Sequence, residues 1–387
     1  MVPFRLPNPE ILTIEKLVYG GEGLARLDGR VVLVPFVLPD ETVQVEIDRA
    51  KNDLWRGKLI EVLEPSAARV TPGCPYFQRC GGCHYQHIDY AAQLEQKREI
   101  LREALQRVGK IVFAGEIGVV AGEPWQYRNR VQLHIQDGRV GYFGQHSRDL
   151  VAINHCPIAS PKLNETIGRI DAHASTALEL FTNESDVQVN VVDRVPKAAL
   201  TALASLGVTT GIEYAGFQVS RNSFFQVNRF LIDRLVECAV GDARGEWALD
   251  LYAGVGLFSR KLAERFGKVT AVESGGSSFR DLEHNFPQGA VKSNVEDYLA
   301  ALEEKPDFIV ADPPRAGLGK QVVRELARIR APHIAIVSCD PATLARDLSG
   351  LIAGGYAIDK ITLVDLFPQT FHLETVVELS ASEVRPD

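Results

Sequence analysis

The sequence predicts an α/β catalytic domain with a Rossmann-like, doubly wound sheet, preceded by an N-terminal OB-like β-barrel and a central α+β domain. From residue 216 onward, apolar strands alternate with helical stretches, which is the pattern of a sheet that binds ligands at the carboxyl ends of its strands. Residues 10–63 instead carry short strands separated by Gly-rich or Pro-Asp turns, which is typical of a small antiparallel barrel. Residues 117–210 mix strands and helices.

The chain of 387 residues is long enough for three domains, which we place at residues 1–64, 65–215 and 216–387. Hydrophobic residues make up 45% and charged residues 24%, as in ordinary globular proteins. No apolar run approaches the roughly 20 residues of a membrane helix, and the first residues do not resemble a signal peptide. We therefore expect a cytoplasmic monomer. Because the net charge is −8, any nucleic acid must bind to local basic patches.

A glycine-containing turn predicts a nucleotide-cofactor site. The run Asp250–Gly256 follows an apolar strand and opens a helix, and its small residues allow a ligand to approach the backbone. The third glycine of a dinucleotide fingerprint is replaced by Ser259, so the motif favours the methionine end of S-adenosylmethionine over NAD. Glu273, at the end of the next strand, is either a ligand of both ribose hydroxyls or the N-cap of the following helix.

The segment DPPR ends a further apolar strand and places Asp312 beside the predicted cofactor. Two prolines make the loop stiff. Amino-group methyltransferases often have an aromatic residue after a similar Pro-Pro pair. Arg315 follows here instead, which argues against methylation of an amino group.

Cys339 is the candidate nucleophile. It lies between a buried strand and a predicted helix with Asp340 as N-cap and Pro341 as first residue, and a helix start favours a thiolate, although Asp340 opposes this. The alternative is a small core residue. A thiolate that adds to carbon 6 of uracil makes carbon 5 nucleophilic toward a methyl donor, and a base must then remove the carbon-5 proton.

Glu374 is the candidate base. It interrupts an otherwise apolar predicted strand, where burial would raise its pKa toward that of a usable base. The alternatives are a water-facing carboxylate on an edge strand, and His372 as the base, which we rank lower.

Of the five remaining cysteines, four form a candidate metal site and one does not. Four thiols can hold tetrahedral zinc or a [4Fe–4S] cluster, and their spacing alone favours zinc. The four are Cys74, Cys80, Cys83 and Cys156. Cys238 falls in no motif and is expected to be a core residue.

Eight motifs in order resemble one family. The chain closely resembles the RNA uracil-5-methyltransferases, class I S-adenosylmethionine-dependent enzymes, and within them an iron–sulfur branch with an N-terminal TRAM domain. The resemblance runs nearly end to end. It is carried by GGEGLAR, CPYFQRCGGCHYQHIDYAAQLEQK, HCPI, FFQVN, DLYAGVGLF, DPPRAGL, SCDPATLARD and HLETVVEL.

This resemblance implies an RNA (uracil-5-)-methyltransferase in which the four cysteines hold a [4Fe–4S] cluster, Cys339 attacks and Glu374 accepts the proton. At the position often held by asparagine the chain has Leu257, which implies only a lining residue. The family positions that bind S-adenosylmethionine fall on Gln226, Tyr252, Gly254, Glu273, Asn294 and Asp312.

The implied partner is RNA, with 23S ribosomal RNA preferred and transfer RNA as the alternative. Basic residues interleaved with aromatic ones suit looped single strands, although ordinary solvated strands have the same appearance. These residues are Arg49, Lys51, Arg56, Lys58, Arg128, Arg130, Arg139 and Arg148, with Tyr127, Tyr142 and Phe143. The rival functions are a nicotinamide-dependent enzyme, a non-catalytic RNA-binding iron–sulfur protein and a cytosine-5-methyltransferase.

Overall fold

The computed structural model describes residues 9–51, 54–170, 176–192, 209 and 211–382. They form two compact units, each assembled from separate stretches of the chain. The first unit consists of Met1–Ile100, Gly141–Pro157 and Phe367–His372, and the second of Leu101–Val140, Ile158–Leu366 and Leu373–Asp387. The division into three domains stays a prediction.

The first unit contains a six-stranded sheet with the order β1-β5-β6-β4-β3-β2. All its neighbours are antiparallel except β4 and β6, which are parallel. Its strands are β1 Glu10–Thr13, β2 Lys16–Leu17, β3 Glu22–Leu27, β4 Arg30–Pro35, β5 Thr42–Lys51 and β6 Leu54–Glu64. This sheet is the predicted N-terminal β-domain.

Alternation of apolar and polar residues builds this sheet. In β5, Val43, Val45 and Ile47 are buried, whereas the residues between Val43 and Ile47 are half-buried, as the two-residue period of a strand requires. The inward residues form one core cluster that also includes Trp55.

A Cys-rich series of turns at residues 65–89 follows the sheet and leads into α1, Tyr90–Arg107. In the same unit, β10 (Leu150–Ala152) pairs antiparallel with residues 141–143 of β9 (Arg139–Phe143). Gln93 exchanges two hydrogen bonds with Gln369, one through each end of its side-chain amide. These contacts hold residues 367–372 against α1.

The second unit contains an eight-stranded sheet with the order β17-β16-β15-β18-β19-β21-β20-β7. The five strands β15 to β19 are parallel, β21 is antiparallel to both β19 and β20, and β20 is parallel to β7. The strands are β7 Ile117–Val120, β15 Gly245–Leu251, β16 Phe266–Glu273, β17 Ala290–Lys292, β18 Phe308–Ala311, β19 His333–Ser338, β20 Tyr356–Val364 and β21 Thr375–Ala381. The predicted doubly wound sheet is confirmed.

Two smaller sheets and seven further helices complete the described part of the chain. One sheet joins β8 (Arg130–Gln136), β11 (Thr176–Thr182) and β12 (Val187–Val191), and the other is the hairpin of β13 (Gly211–Tyr214) and β14 (Phe217–Ser220). The helices are α2 Pro161–Ile167, α3 Ile232–Val240, α4 Leu257–Leu262, α5 Gly276–Asn285, α6 Val295–Ala300, α7 Gly319–Ile329 and α8 Pro341–Ala353. Among the described helices, none is long and apolar enough to cross a membrane.

Candidate active site

Cys339 and Glu374 meet because β21 runs antiparallel beside β19. Ser338, the last residue of β19, pairs with Thr375, the first residue of β21. Cys339 directly follows Ser338, and Glu374 directly precedes Thr375. Continuation of the same register therefore sets Cys339 opposite Glu374. Glu374 is therefore placed just before a strand, and the prediction that it lies within the strand is wrong. Its carbonyl accepts a hydrogen bond of 2.8 Å from the Val364 amide.

The start of α8 fixes the backbone after Cys339. Asp340 has an extended conformation, and its Oδ1 accepts hydrogen bonds from the amides of Ala342 at 3.0 Å and Thr343 at 2.8 Å. Pro341 is the first helical residue. The predicted N-cap and helix start are confirmed.

Helix α8 also holds the loop that follows β18. Asp347, which is 4% exposed, accepts a hydrogen bond of 2.7 Å from the Leu318 amide, and Arg346 donates to the Ala316 carbonyl at 2.8 Å. Gly317 has a φ of +78°, and a Cβ there would come within 2.3 Å of the Asp347 carboxylate. The DPPRAGL and SCDPATLARD segments therefore form one rigid structure.

The surroundings of Cys339 oppose the thiolate. Burial raises the pKa of its thiol to about 11, and the carboxylates of Glu374 and Asp312 act in the same direction. Arg315 and a backbone hydrogen bond lower the pKa without overcoming these effects. The contribution of the helix start stays a prediction, and in the free protein burial and the neighbouring acids outweigh any such effect.

Glu374 is 5% exposed, which excludes a water-facing carboxylate. Burial and the charge of Asp312 raise its pKa well above the ordinary value, and Arg315 opposes them. The predicted direction of this shift is confirmed. His372 belongs to the first unit, where its ring packs on those of Phe367 and Phe371.

The turn after β15 has the geometry of a cofactor cradle. Tyr252, Gly254 and Gly256 have φ values of 61°, 58° and 95°. A Cβ at Gly254 would meet no atom within 4 Å, so open space lies beside the turn. The carboxylate of Glu273 accepts a hydrogen bond of 2.8 Å from the Gly254 amide and one from the Gly275 amide. Glu273 therefore reaches both this turn and the start of α5.

Asp250 is fully buried at the base of this turn. One carboxylate oxygen accepts a hydrogen bond from the Ser259 hydroxyl, and within the described residues the other, Oδ1, is buried without a partner. Burial raises the pKa of Asp250 to about 7. Ser259, which replaces the third glycine of a dinucleotide fingerprint, thus has a structural role. A buried carboxylate oxygen without a donor fits a ligand that carries an amino group.

Asp312 connects the cradle to the cysteine. Its amide donates to the Leu251 carbonyl at 3.3 Å, and its carboxylate accepts a hydrogen bond of 3.4 Å from Gln226 Nε2. Burial and the charge of Asp250 raise the pKa of Asp312. Gln226 itself is 5% exposed.

Helix α5 fixes the segment that leads to Gln226. Asp281 is fully buried and accepts hydrogen bonds from Gln218 and from both the amide and hydroxyl of Ser220. Asn285 bonds the backbone of Gln218 and the carbonyl of Val255, which lies in the cofactor turn. One helix therefore positions both the turn and the Gln226 segment.

Asn294 is the last of the predicted cofactor residues, and Leu257 is the predicted lining residue. Asn294 is exposed before α6, its side chain bonds Asp297, and the preceding Ser293 amide donates to the Glu273 carbonyl at 3.2 Å. Leu257 packs against an apolar cluster. The structure thus brings the catalytic and cofactor candidates to one edge of the sheet.

Comparison with known proteins decides what this site belongs to. Residues 12–60 match the TRAM domain, and residues 302–382 match the family tRNA (Uracil-5-)-methyltransferase. An uncharacterized RNA methyltransferase of Aquifex aeolicus is 31% identical over 97% of this chain and 99% of its own. The 23S rRNA (uracil(1939)-C(5))-methyltransferase RlmD of Halomonas elongata is 30% identical over 95% of this chain and 89% of its own.

The chain belongs to the RNA uracil-5-methyltransferase family. The crystal structure of Pyrococcus abyssi tRNA (uracil-54, C5)-methyltransferase with S-adenosyl-L-homocysteine is similar to this enzyme, with a TM-score of 0.74 and 26% identity. The match covers 95% of this chain and 99% of that one. The enzyme is thus an RNA methyltransferase that uses S-adenosylmethionine, and the features of the cradle fit that cofactor.

The four motif cysteines of the methyltransferase come together in the first unit. Burial raises the pKa of the Cys80 thiol to about 11, and the charges of Cys156 and Cys74 raise it further. Burial and the other three thiols raise that of Cys83. Within the described residues, no group of three or more His, Cys, Asp or Glu side chains is arranged to hold a metal ion. The four thiols fit the donor set of a [4Fe–4S] cluster. Cys238 is only half-buried, in α3.

The basic and aromatic candidates for RNA contact separate by burial. Tyr127 is fully buried and Arg130 is 9% exposed, with its guanidinium 4.4 Å from the Phe181 ring centroid. Neither offers a surface for base stacking, so that prediction is wrong for both. Arg139 and Arg148 are exposed. The side chains of Arg49 and Lys51 lie outside the described residues.

Sequence reasoning missed the groups that support the site. Asp281 and Asn285 carry no motif, and only the pairing of α5 with β14 reveals them. Asp347 is the last residue of the motif SCDPATLARD. An acidic residue at this position of the helix was the available signal that the loop after β18 needed a hydrogen-bond acceptor. Arg315 served only to exclude amino methylation, whereas the structure places its charge near Cys339 and Glu374.

Proposed function

We propose that this enzyme methylates carbon 5 of a uracil in 23S ribosomal RNA, with Cys339 as nucleophile and Glu374 as base. The observation that carries the proposal is the register of β19 and β21, which sets Cys339 opposite Glu374. A thiol and a buried carboxyl in that relation are the two groups that this reaction requires.

When bound, S-adenosylmethionine supplies an electrophilic methyl group. The Cys339 thiol loses its proton to solvent, Sγ forms a bond to carbon 6 of uracil, and the electron pair of the carbon 5–carbon 6 double bond moves into an enolate that is nucleophilic at carbon 5. After carbon 5 is methylated, Glu374 accepts its proton. The carbon–sulfur bond then breaks, the double bond re-forms and Cys339 leaves.

The raised pKa values define the resting state in this mechanism. Because burial raises the pKa of Cys339 to about 11, its thiol is mostly protonated near neutral pH and must lose its proton before it adds to carbon 6. Glu374 has a raised pKa, so it is a stronger base than an exposed glutamate. Arg315 is the cation that favours the charged forms of both groups, and it links the two ionisations.

For the cofactor, we propose Gln226, Tyr252, Gly254, Glu273, Asn294 and Asp312 as contacts. Glu273 suits the ribose hydroxyls, and the open turn at Gly254 suits close approach of the methionine end. Glu273→Gln should weaken S-adenosylhomocysteine binding measured by calorimetry. The control, Glu283→Gln, changes an exposed carboxylate of α5 and should leave that affinity unchanged.

The nucleophile is tested by Cys339→Ala, with Cys238→Ala as the matched control. The first variant should lose methylation of unmodified RNA while it still binds S-adenosylhomocysteine, and the control should keep its turnover. Turnover retained by Cys339→Ala would exclude Cys339 as the nucleophile.

The base is tested by Glu374→Gln. Since proton removal is blocked after methylation, a covalent RNA–protein adduct should accumulate and survive denaturing electrophoresis. The adduct should be absent in the double variant with Cys339→Ala. Normal turnover without an adduct would assign the base elsewhere.

The choice of 23S ribosomal RNA is supported by the RlmD relative, whereas the P. abyssi neighbour, titled a tRNA methyltransferase, supports transfer RNA as the alternative. Mapping 5-methyluridine in both RNA classes, with and without this gene, separates the two. Loss of a 23S site with intact tRNA supports the proposal, and the reverse result assigns tRNA.

We also propose that Cys74, Cys80, Cys83 and Cys156 hold a [4Fe–4S] cluster. Support comes from the closeness of the four thiols, since Cys74 and Cys156 lie near enough to raise the pKa values of Cys80 and Cys83. Anaerobically purified protein should be brown and contain about four iron atoms per chain. Cys83→Ser should lose the iron, and Cys238→Ser should keep it. Colourless protein with stoichiometric zinc would overturn the proposal.

A further inference from the structure

A cleft of about 620 Å³ lies in the first unit, and its lining includes none of the catalytic, cofactor or motif cysteine residues. It is bounded by β3, β4 and β6, by the turn at residues 78–79 and by the connection from β9 to β10. Its volume falls within the roughly 300–1,000 Å³ that is common for ligand pockets.

One wall of the cleft is apolar. Phe36, Leu59, Ile60 and Val151 line it, and Ile60 is 48% exposed. Phe36 is fixed by edge-on contact with the Phe77 ring at 5.2 Å. The wall is therefore rigid and offers a face to a flat apolar group such as a nucleobase.

Three cations line the cleft, one paired with an acid in its wall and two exposed. Arg56 donates to the carboxylate of Glu22, which is 7% exposed, and this pair fixes the guanidinium in the wall. Lys58 and Arg79 are exposed, and Arg79 is held by a hydrogen bond of 3.2 Å to the Pro75 carbonyl. These three cations and the two acids of the lining, Glu22 and Asp149, give the cleft a formal charge of +1. The whole chain has a net charge of −8.

Glycine lets the connection after β9 close against the Arg79 turn. The Gly144 amide donates to the Asp149 carbonyl at 2.9 Å, and the Gly81 amide donates to the Phe143 carbonyl at 2.9 Å. A Cβ on Gly144 would come within 2.9 Å of the Ser147 hydroxyl and 3.2 Å of the Arg79 carbonyl. The cleft is thus formed by close backbone packing before any ligand binds.

We propose that this cleft binds one unpaired nucleotide of the RNA substrate, with its base on the apolar wall and the adjoining phosphates on Lys58 and Arg79. A base inside a duplex cannot reach such a wall, whereas a base in a loop can be turned outward. An apolar face bordered by cations is the arrangement that binds single strands. The inference deepens the proposed function, on which it rests, by naming where this enzyme reads loop structure in its RNA.

The test is the affinity of the full-length protein for a fluorescein-labelled single-stranded RNA 12-mer, measured by anisotropy at several salt concentrations. Lys58→Glu with Arg79→Glu should raise Kd about tenfold or more, and the salt slope should fall by about 1.4, since each lost phosphate contact on a single strand contributes about 0.7. Ile60→Ser should raise Kd with an unchanged salt slope, because it removes only apolar contact.

The matched control is Arg26→Glu with Arg107→Glu. It makes the same charge change at two arginines whose side chains are 54% and 71% exposed and which do not line the cleft. Its Kd should stay near that of the unaltered protein. Equal weakening by both double variants, or no change in the cleft variant, would overturn the proposal.

A 12-base-pair RNA duplex should compete poorly with the labelled strand, and equal competition would exclude a site for an unpaired nucleotide. The readout needs no turnover. Normal probe binding without formation of 5-methyluridine would refute only the proposed function. Normal methylation with a cleft variant that binds like the control would refute only the cleft. S-adenosylhomocysteine binding and the melting temperature check that every variant is folded.

Discussion

The reactivity of Cys339 toward iodoacetamide follows directly from its surroundings. Its thiol has a pKa of about 11, against an ordinary value of 9.0. Two pKa units lower the thiolate fraction about 100-fold below pH 9, since each unit is a factor of ten. Only the thiolate reacts, but its nucleophilicity rises by about 0.4–0.5 log units per pKa unit. Alkylation of Cys339 near pH 8 should therefore be roughly tenfold slower than that of an unperturbed thiol.

Two substitutions should move this pKa in opposite directions. Glu374→Gln removes a carboxylate that raises it, so the midpoint of the pH–alkylation curve should fall below about 11 but stay above 9.0, because burial persists. Arg315→Gln removes the cation that lowers the pKa and should move the midpoint upward. Opposite signs from two neutral replacements cannot result from a general loosening of the site.

Mass spectrometry of the peptide that contains Cys339 measures the rate at each pH. The same peptide in urea-unfolded protein supplies the unperturbed curve, and the Cys238 peptide monitors global unfolding in each variant. A midpoint at or below that of the unfolded protein would refute the reasoning, since it would mean that the helix start outweighs burial. Identical midpoints in Glu374→Gln and the unaltered protein would refute the proximity of the two groups.

Three further predictions concern stability. Asp281→Ala removes the acceptor of the amide and hydroxyl of half-buried Ser220 and should lower the free energy of unfolding by about 3 kcal/mol, measured with urea; a change below about 1 kcal/mol would contradict the network. Asp340→Ala removes an N-cap and should cost about 1 kcal/mol, visible as a lower melting temperature, whereas Asp340→Asn should cost little. Burial of Glu41 opposes its ionisation, but hydrogen bonds from Arg69 and backbone amides outweigh burial and hold its pKa below the ordinary value. Its stabilisation is therefore complete above that ordinary pKa and is lost as the pH falls through the lowered one; Glu41→Gln should flatten acid unfolding, and an unchanged pH profile would contradict this.

Local signals made much of the catalytic unit predictable. The turn after β15 could be predicted because small residues after an apolar strand allow positive φ values, and these occur at Gly254 and Gly256. The start of α8 was equally readable, since Asp340 and Pro341 satisfy the first turn of a helix within a few residues.

Non-local packing defeated other predictions. Tyr127 and Arg130 are an aromatic and a basic residue close together in the sequence, as on a surface that stacks RNA bases, but both are buried. The predicted strand around Glu374 was too long at its start, because residues 367–372 belong to the first unit and the strand begins at Thr375. Composition cannot distinguish a solvated strand from a covered one.

By itself the sequence determined which groups carry the chemistry: a cysteine at a helix start, a carboxylate near a final strand, and a glycine turn beside an acidic strand end. These depend on residue type and on contacts a few positions apart. Only the tertiary structure decided how the groups act on one another. The antiparallel placement of β21 beside β19 brings Glu374 to Cys339, and burial there reverses the expected shift of the thiol pKa. Desolvation depends on every element packed around a group, so the sign of that shift is a property of the fold.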